Sequence, residues 1–121
     1  MKGNVPMTKE NCPNRTFIET PNFTKKWISY GLTDEELRLL ENILLKDPKS
    51  GKIIQGTGGI RKIRIPYHGQ GKRSGGRVIY IDIEVKEKIY LLDFYIKNET
   101  INLTAQEQDF LKKLVQILRE E

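Results

Sequence analysis

The segment at residues 77–97, RVIYIDIEVKEKIYLLDFYIK, decides the fold of this chain of 121 residues. It holds two runs that are rich in β-branched and aromatic residues, at 77–85 and 89–97, and only KEK separates them. Such residues favour strands, and a connection this short joins strands that run antiparallel. The segment therefore predicts a β-hairpin.

The flanking segments add one strand and one helix. IRKIRIPY at residues 60–67 predicts a strand, which the loop HGQGKRSGG at 68–76 connects to the hairpin. After the hairpin, Thr104 and Glu107 have the spacing of a capping box, the side-chain and backbone exchange that starts many helices. The apolar face predicted for that helix consists of Phe110, Leu111, Leu114, Val115 and Leu118.

The first part of the chain predicts a strand and two helices. RTFIET at residues 15–20 has strand character, and a helix follows with Asn22 as its N-cap and Gly31 at its end. A second capping box, formed by Thr33 and Glu36, starts the next helix. The buried stripe predicted for this second helix consists of Leu37, Leu40, Ile43 and Leu44.

The predicted order is thus strand, two helices, three strands and one helix. This order is typical of an α+β fold with a small, mainly antiparallel sheet packed on helices. Residues 15–121 form the single domain that the length allows, after a flexible N-terminal arm at residues 1–14. No apolar run has membrane-spanning length and no signal peptide is recognisable, so we expect a cytoplasmic protein without a membrane partner.

The positive charge of the chain is concentrated in one segment. The formal net charge is +5, and residues 56–77 contain six cations and no carboxylate. The same segment holds seven glycines. A basic charge that is focused in this way indicates an anionic partner, whereas an evenly spread excess indicates only solubility.

Residue counts and spacings exclude several classes of site. Cys12 and His68 are the only residues of their types, so the chain has no internal disulfide, no Cys- or His-based metal site and no Ser-His-Asp triad. The glycines around His68 fail the spacing of both the P-loop and the dinucleotide-binding fingerprint. We therefore expect no metal and no cofactor.

Alternation along the strands predicts which basic side chains lie together. Ile63 and Ile65 are predicted core residues, so Lys62 and Arg64 point to the other side of the sheet. Tyr95 and Lys97 are expected on that same, uncovered face. Arg77 enters the neighbouring strand beside them. A solvated sheet face also carries cations, but the near absence of carboxylates favours a binding surface. The face of the last strand expected to pack on the helices consists of Tyr90, Leu92, Phe94 and Ile96.

Three stretches resemble the RelE/ParE superfamily of type II toxins, and most closely its HigB-like branch. They are DPKSGKIIQGTGGIRKIRI, GQGKRSGGRVIY and IYLLDFYIKNETINLTAQE. The resemblance implies a small sheet backed by helices. It also implies a ribosome-dependent endoribonuclease that cleaves mRNA in the A site, and a cognate antitoxin that neutralises it. The complex of antitoxin and toxin is expected to bind operator DNA.

The resemblance carries over site residues by position. Lys62 and Arg64 match the basic residues of the family's second strand. Arg77 matches the arginine that opens the family's third strand, and Lys97 matches the basic residue that follows its last strand. Arg77 is expected to stabilise the charged phosphate, with Lys62 or Arg64 helping. Tyr95 is a candidate for base stacking or proton transfer, and equally for a core phenol.

Further residues are expected to bind the RNA backbone. Which residues act as the general acid and the general base of the reaction is not determined by the sequence. His68 is a weaker candidate for acid–base work, because its loop is not a fixed platform. The tyrosine that the best-known RelE enzymes carry near the last helix has no counterpart here. The residues expected to bind RNA are Arg61, Lys72, Arg73 and His68.

Two other functions fit the same sequence. One is a non-catalytic toxin of the ParE kind, which binds DNA gyrase. The other is a nucleic-acid-binding module that represses transcription together with its antitoxin. The dense cationic strand face favours the ribonuclease over the gyrase inhibitor, because a protein-binding inhibitor has less need of it.

Overall fold

The computed structural model describes residues 14–67, 72–96 and 103–121, with the backbone alone described at 72–74. The helices and strands follow the predicted order with one strand added. None of the described helices has the length and apolar character needed to cross a membrane. The elements are β1 (Thr16–Glu19), α1 (Pro21–Ser29), α2 (Asp34–Lys46), β2 (Lys52–Ile53), β3 (Arg61–Tyr67), β4 (Lys72–Ile83), β5 (Lys88–Ile96) and α3 (Ala105–Glu120), with a 3₁₀ turn at Glu84–Lys86 between β4 and β5.

The five strands form one mixed sheet in the order β1-β5-β4-β3-β2. Three of its pairings are antiparallel, and β1 pairs with β5 in parallel. The α+β class and the 77–97 hairpin are confirmed. The two-residue strand β2 was not predicted, because two residues carry no readable alternation.

Helices cover both faces of the sheet, and each face has its own core. On one face, Phe23 and Trp27 of α1 and Leu40 and Leu44 of α2 pack with buried strand residues such as Phe94. On the other face, α3 packs against the sheet. The core residues of this second face are Ile60, Ile79, Ile81, Ile83, Tyr95 and Val115.

The helix starts agree with the sequence at two of three places. Both predicted capping boxes are present, at Thr33 and at Thr104. The prediction that Asn22 caps α1 is wrong, since the hydroxyl of Thr20 accepts the hydrogen bond from the Phe23 N–H. Pro21 occupies the first helical position, where its missing N–H costs nothing.

Two residues predicted to be buried are exposed. Ile43 of α2 is 43% exposed and Phe110 of α3 is 66% exposed. Each helix contacts the sheet along a narrow stripe, which in α2 is formed by Leu40 and Leu44. The outer residues of the predicted apolar faces therefore remain in solvent.

Strand β4 begins five residues earlier than predicted. Residues 72–76 were expected in a loop, but Tyr67 pairs with Lys72 and Ile65 pairs with Gly76. Lys72 and Arg73 consequently belong to a strand and not to a loop.

A bulge in β5 breaks the alternation on which the predicted faces depended. Ile79 pairs with Asp93 and Tyr80 with Leu91, so Leu92 is an extra residue in β5. The prediction that Tyr90 and Leu92 share a face with Phe94 is wrong, because Phe94 packs on the α1 and α2 side whereas Tyr90 and Leu92 pack on the α3 side.

Candidate functional site

Three of the predicted site residues form a row across the sheet. Arg64 of β3 pairs with Arg77 of β4, and Arg77 pairs with Tyr95 of β5. Residues directly opposite each other on neighbouring strands project to the same face. The register therefore brings two guanidinium groups and one phenol together.

Lys62 lies on the same face, two residues before Arg64 along β3. It pairs with Ile79, which belongs to the core under α3. The prediction of an uncovered face is thus wrong, because α3 occupies part of it. Lys62 and Arg64 are not covered by α3 and are exposed to solvent. In the described part of the chain, neither has a side-chain hydrogen bond or ion pair.

An open cleft of about 510 Å³ lies at this part of the sheet. Four of its lining side chains are cationic, and none is a carboxylate. Cations gathered without counter-charges attract an anion, and the planar fork of arginine matches the oxygens of phosphate. The lining residues are Ser50, Gly51, Lys52, Lys62, Ile63, Arg64 and Arg77.

Tyr95 forms the inner end of the row. It is only 7% exposed. Burial raises the pKa of its phenol above the ordinary value, and the nearby Arg77 offsets that effect only in part. The hydroxyl is therefore neutral at physiological pH, so it can donate a proton or a hydrogen bond but cannot act as a base.

The carboxylate nearest to the row in sequence is occupied elsewhere. Asp93 forms an ion pair of 3.1 Å with Lys26 of α1 and also accepts a hydrogen bond from the Phe94 N–H. Among the described residues, no group of His, Cys, Asp and Glu side chains is arranged to hold a metal ion.

Arg61 has contacts of a structural kind. It pairs with Tyr80 and projects to the face opposite to Lys62. Its Nη1 atom donates to the carbonyls of Lys49, at 3.0 Å, and Gly51, at 2.7 Å. Its expected role in RNA binding stays a prediction.

Four other predicted residues are not positioned by the structure. Lys97 and His68 lie outside the described residues. For Lys72 and Arg73 the backbone is described as part of β4, but the side chains are not.

Sequence reasoning missed one wall of the cleft. Lys52 pairs with Lys62, so its side chain projects to the same face of the sheet. Ser50 and Gly51 complete this wall. The signal available in the sequence was the Asp47–Pro48 turn before β2, but nothing in a turn of this kind predicts which strand it lies against.

Comparison with known proteins agrees with this fold. The family model described as the RelE toxin of the RelE/RelB toxin–antitoxin system matches residues 16–120. Among solved structures, a double mutant of E. coli toxin RelE in the free state is similar, with a TM-score of 0.52 and 17% sequence identity. The match covers 86% of this chain and 98% of that one. The HigB-like branch stays a prediction. Because the family match spans almost the whole described chain, this protein belongs to the RelE toxin family, the toxin component of a toxin–antitoxin system.

Proposed function

We propose that this toxin is a ribosome-dependent endoribonuclease that cleaves mRNA in the ribosomal A site and thereby inhibits translation. The observation that carries the proposal is the row of Arg64, Arg77 and Tyr95 beside a cleft lined by four cations and no carboxylate. Such a cleft suits the phosphodiester backbone of RNA. An mRNA substrate held by the ribosome would make the protein cytoplasmic.

The proposed reaction needs only groups that the RNA and the protein supply. The 2′-hydroxyl of one nucleotide loses its proton to a base and attacks the adjacent phosphorus. The bond from phosphorus to the 5′-oxygen of the next nucleotide breaks, and that oxygen takes up a proton. The products are a 2′,3′-cyclic phosphate and a 5′-hydroxyl, with no change in oxidation state.

Arg77 and Arg64 have the position and chemistry to stabilise the pentacoordinate phosphate. They face each other across β3 and β4, so both guanidinium groups can approach one phosphate. In this reaction the phosphate gains negative charge, and hydrogen-bond donors that are fixed beforehand lower the barrier. Arg77 is the better fixed of the two, because it is half-buried and donates to the Gly76 carbonyl at 3.2 Å.

Lys62 and Tyr95 are the titratable groups next to these arginines. Lys62 is exposed at the rim of the cleft and can reach the RNA strand. Tyr95 is buried behind Arg77, and its neutral phenol fits hydrogen-bond donation or packing and not proton abstraction. We therefore propose Lys62 as the described residue that participates in proton transfer. Lys97 stays a candidate on the strength of its position in the family.

The test is induced expression in a bacterial host, followed by mapping of mRNA 5′ ends. We expect cuts within translated codons when the native chain is expressed. Arg77→Ala should abolish these cuts while the purified variant keeps its folded circular dichroism spectrum. Lys86→Ala, which removes an exposed lysine from the turn between β4 and β5, is the matched control and should cut like the native chain.

Other outcomes would separate the competing functions. Growth arrest with intact mRNA and a DNA-damage response would contradict the proposal and point to a gyrase inhibitor. Cleavage of free RNA without ribosomes would contradict the ribosome dependence alone. Absence of toxicity would favour a nucleic-acid-binding module that acts with the antitoxin.

A further inference from the structure

The turn between α2 and β2 is one wall of the cleft, and its backbone is held at several points. The Asp47 carboxylate accepts a hydrogen bond from the Lys49 N–H at 3.1 Å, and the Asp47 carbonyl accepts one from the Ser50 N–H at 3.1 Å. At the exposed edge of the turn, Lys49 extends its ammonium to Asp82 and Glu84, each at 3.0 Å. These contacts fix the first half of the turn.

Two side chains from the sheet fix the second half. The buried hydroxyl of Tyr80 accepts from the Gly51 N–H and donates to the Pro48 carbonyl, both at 2.9 Å. Arg61 donates to the carbonyls of Lys49 and Gly51. The carbonyls of Asp47, Pro48, Lys49 and Gly51 are therefore all hydrogen-bonded.

Gly51 lies directly against β3. A Cβ atom at this position would come within 2.9 Å of both the Lys62 carbonyl oxygen and the ring of Tyr80. Neither a strand backbone nor a buried ring can move aside easily. This close approach therefore fixes the position of the turn relative to β3, and with it the position of the residue that follows the turn.

The residue that follows is Lys52, which extends the series of cations in the cleft. It is exposed, and it lies opposite Lys62 across the β2–β3 pair. Lys62 in turn lies about 7 Å along β3 from Arg64, which is two strand residues. Arg64 and Arg77 lie at one phosphate position, with Lys62 beside it. Lys52 lies beyond Lys62, where the next phosphate of the RNA strand would pass.

We propose that Lys52 binds the RNA phosphate next to the scissile one, and that Arg61 is a positioning residue which holds the turn carrying Lys52. This inference rests on the proposed function and adds to it a second phosphate subsite. A lysine on a loose loop loses both backbone and side-chain freedom when it binds, whereas Lys52 starts from a fixed backbone.

The test measures how RNA binding depends on salt. The probe is a fluorescein-labelled single-stranded RNA oligonucleotide with 2′-O-methyl groups, which cannot be cleaved by 2′-hydroxyl attack. Each phosphate contact contributes about 0.7 to the slope of log K against log salt for a single strand. Lys52→Ala should lower that slope by about 0.7. Lys86→Ala, the control that loses the same charge from the turn between β4 and β5, should leave the slope unchanged.

The role of Arg61 is tested by a double-mutant cycle. In an Arg61→Gln background, Lys52→Ala should weaken RNA binding by a smaller factor than it does in the native chain, because Lys52 is already displaced. A purely structural effect of Arg61 would weaken binding equally with or without Lys52. Additive effects would therefore overturn the positioning role.

The same measurements separate this inference from the proposed function. If Arg77→Ala lowers the slope and Lys52→Ala does not, the second phosphate subsite is wrong and the proposed function stands. If Lys52→Ala lowers the slope and Arg77→Ala does not, the assignment of the scissile phosphate to Arg77 fails. Binding by the native chain that is absent or independent of salt would overturn the second phosphate subsite, while the mapping of mRNA 5′ ends decides the proposed function separately.

Discussion

Arg77 illustrates how a single residue obtains its role from its neighbours. It lies between Arg64 and Tyr95 in the row, and the residue is half-buried. A group fixed in this way offers two parallel donors to a phosphate, which lysine cannot do. The shape of the side chain should therefore matter as much as its charge.

We expect Arg77→Lys to slow cleavage of mRNA by about 100-fold in a reconstituted translation system. The loss of one preorganised hydrogen-bond donor to the transition state has an effect of this size in other enzymes. The melting temperature should remain close to that of the native chain, because the charge and most of the side chain are kept. Arg38→Lys, an exposed change in α2, is the control. Equal cleavage rates for Arg77→Lys and the native chain would show that charge alone is enough.

Tyr95 gives a prediction about alkaline pH. Burial holds the pKa of its phenol above the ordinary value in the folded protein, whereas in the unfolded chain the phenol has its ordinary pKa of about 10. Above that pH the unfolded state loses a proton that the folded state keeps, so the free energy of unfolding falls as the pH rises. Urea titrations should show a weaker alkaline loss for Tyr95→Phe than for the native chain. An identical pH dependence would contradict this assignment.

At the scale of elements, the turn before β2 shows how much the sheet contributes to the cleft. Tyr80 reaches across from β4 and satisfies two backbone groups of that turn. Without the hydroxyl, the Gly51 N–H and the Pro48 carbonyl would both lose their partner in a buried place. The local turn sequence alone would not hold this geometry.

Tyr80→Phe should lower the free energy of unfolding by about 1–3 kcal/mol, the cost of leaving buried polar groups unpaired. It should also speed amide hydrogen exchange at Gly51, because that N–H loses its acceptor. Tyr90→Phe, on β5, is the matched control and should leave the exchange of Gly51 unchanged. Exchange measured by NMR at unaltered rates in Tyr80→Phe would show that the turn is held by other contacts.

The elements that the sequence predicted well are those specified by local patterns. The capping boxes at Thr33 and Thr104 need only a spacing of three residues, and the hairpin needs only two neighbouring runs. The bulge at Leu92 and the pairing of Lys52 with Lys62 depend on contacts between distant segments. The positions of Lys62, Arg64 and Arg77 on one face were predictable, whereas the wall beside them was not.

At the scale of the whole molecule, one group of charges ties together three distant parts of the chain. Asp82 of β4 is buried and pairs with Arg15, just before β1, at 2.6 Å. It also pairs with Lys49, in the turn before β2, at 3.0 Å. Burial alone would raise the pKa of Asp82, but the hydrogen bonds from these two cations outweigh it, and the pKa is lowered.

The lowered pKa of Asp82 predicts how stability changes in acid. In the unfolded chain the Asp82 carboxylate takes up a proton at about pH 4, whereas in the folded protein it is still charged at that pH. The stabilisation by Asp82 is therefore present above that pH and is lost as the pH falls through the lower pKa of the folded state.

Asp82→Asn should lower the free energy of unfolding by about 3 kcal/mol near neutral pH, as breaking a buried ion pair does. The difference from the native chain should shrink as the pH falls below about 4. Lys113→Ala breaks an exposed pair with Asp109 and should cost only about 0.5 kcal/mol. A difference between Asp82→Asn and the native chain that stays constant down to pH 2 would contradict the linkage.

The parallel pairing of β1 with β5 has a consequence for synthesis of the chain. Among the described strands, β1 pairs with β5 alone, so it has no place in the sheet until residues 88–91 have been made. The row likewise needs Tyr95 of β5 beside Arg77. Contacts between distant segments form late in folding. The sheet, and with it the row of Arg64, Arg77 and Tyr95, is therefore completed only after β5 has been made.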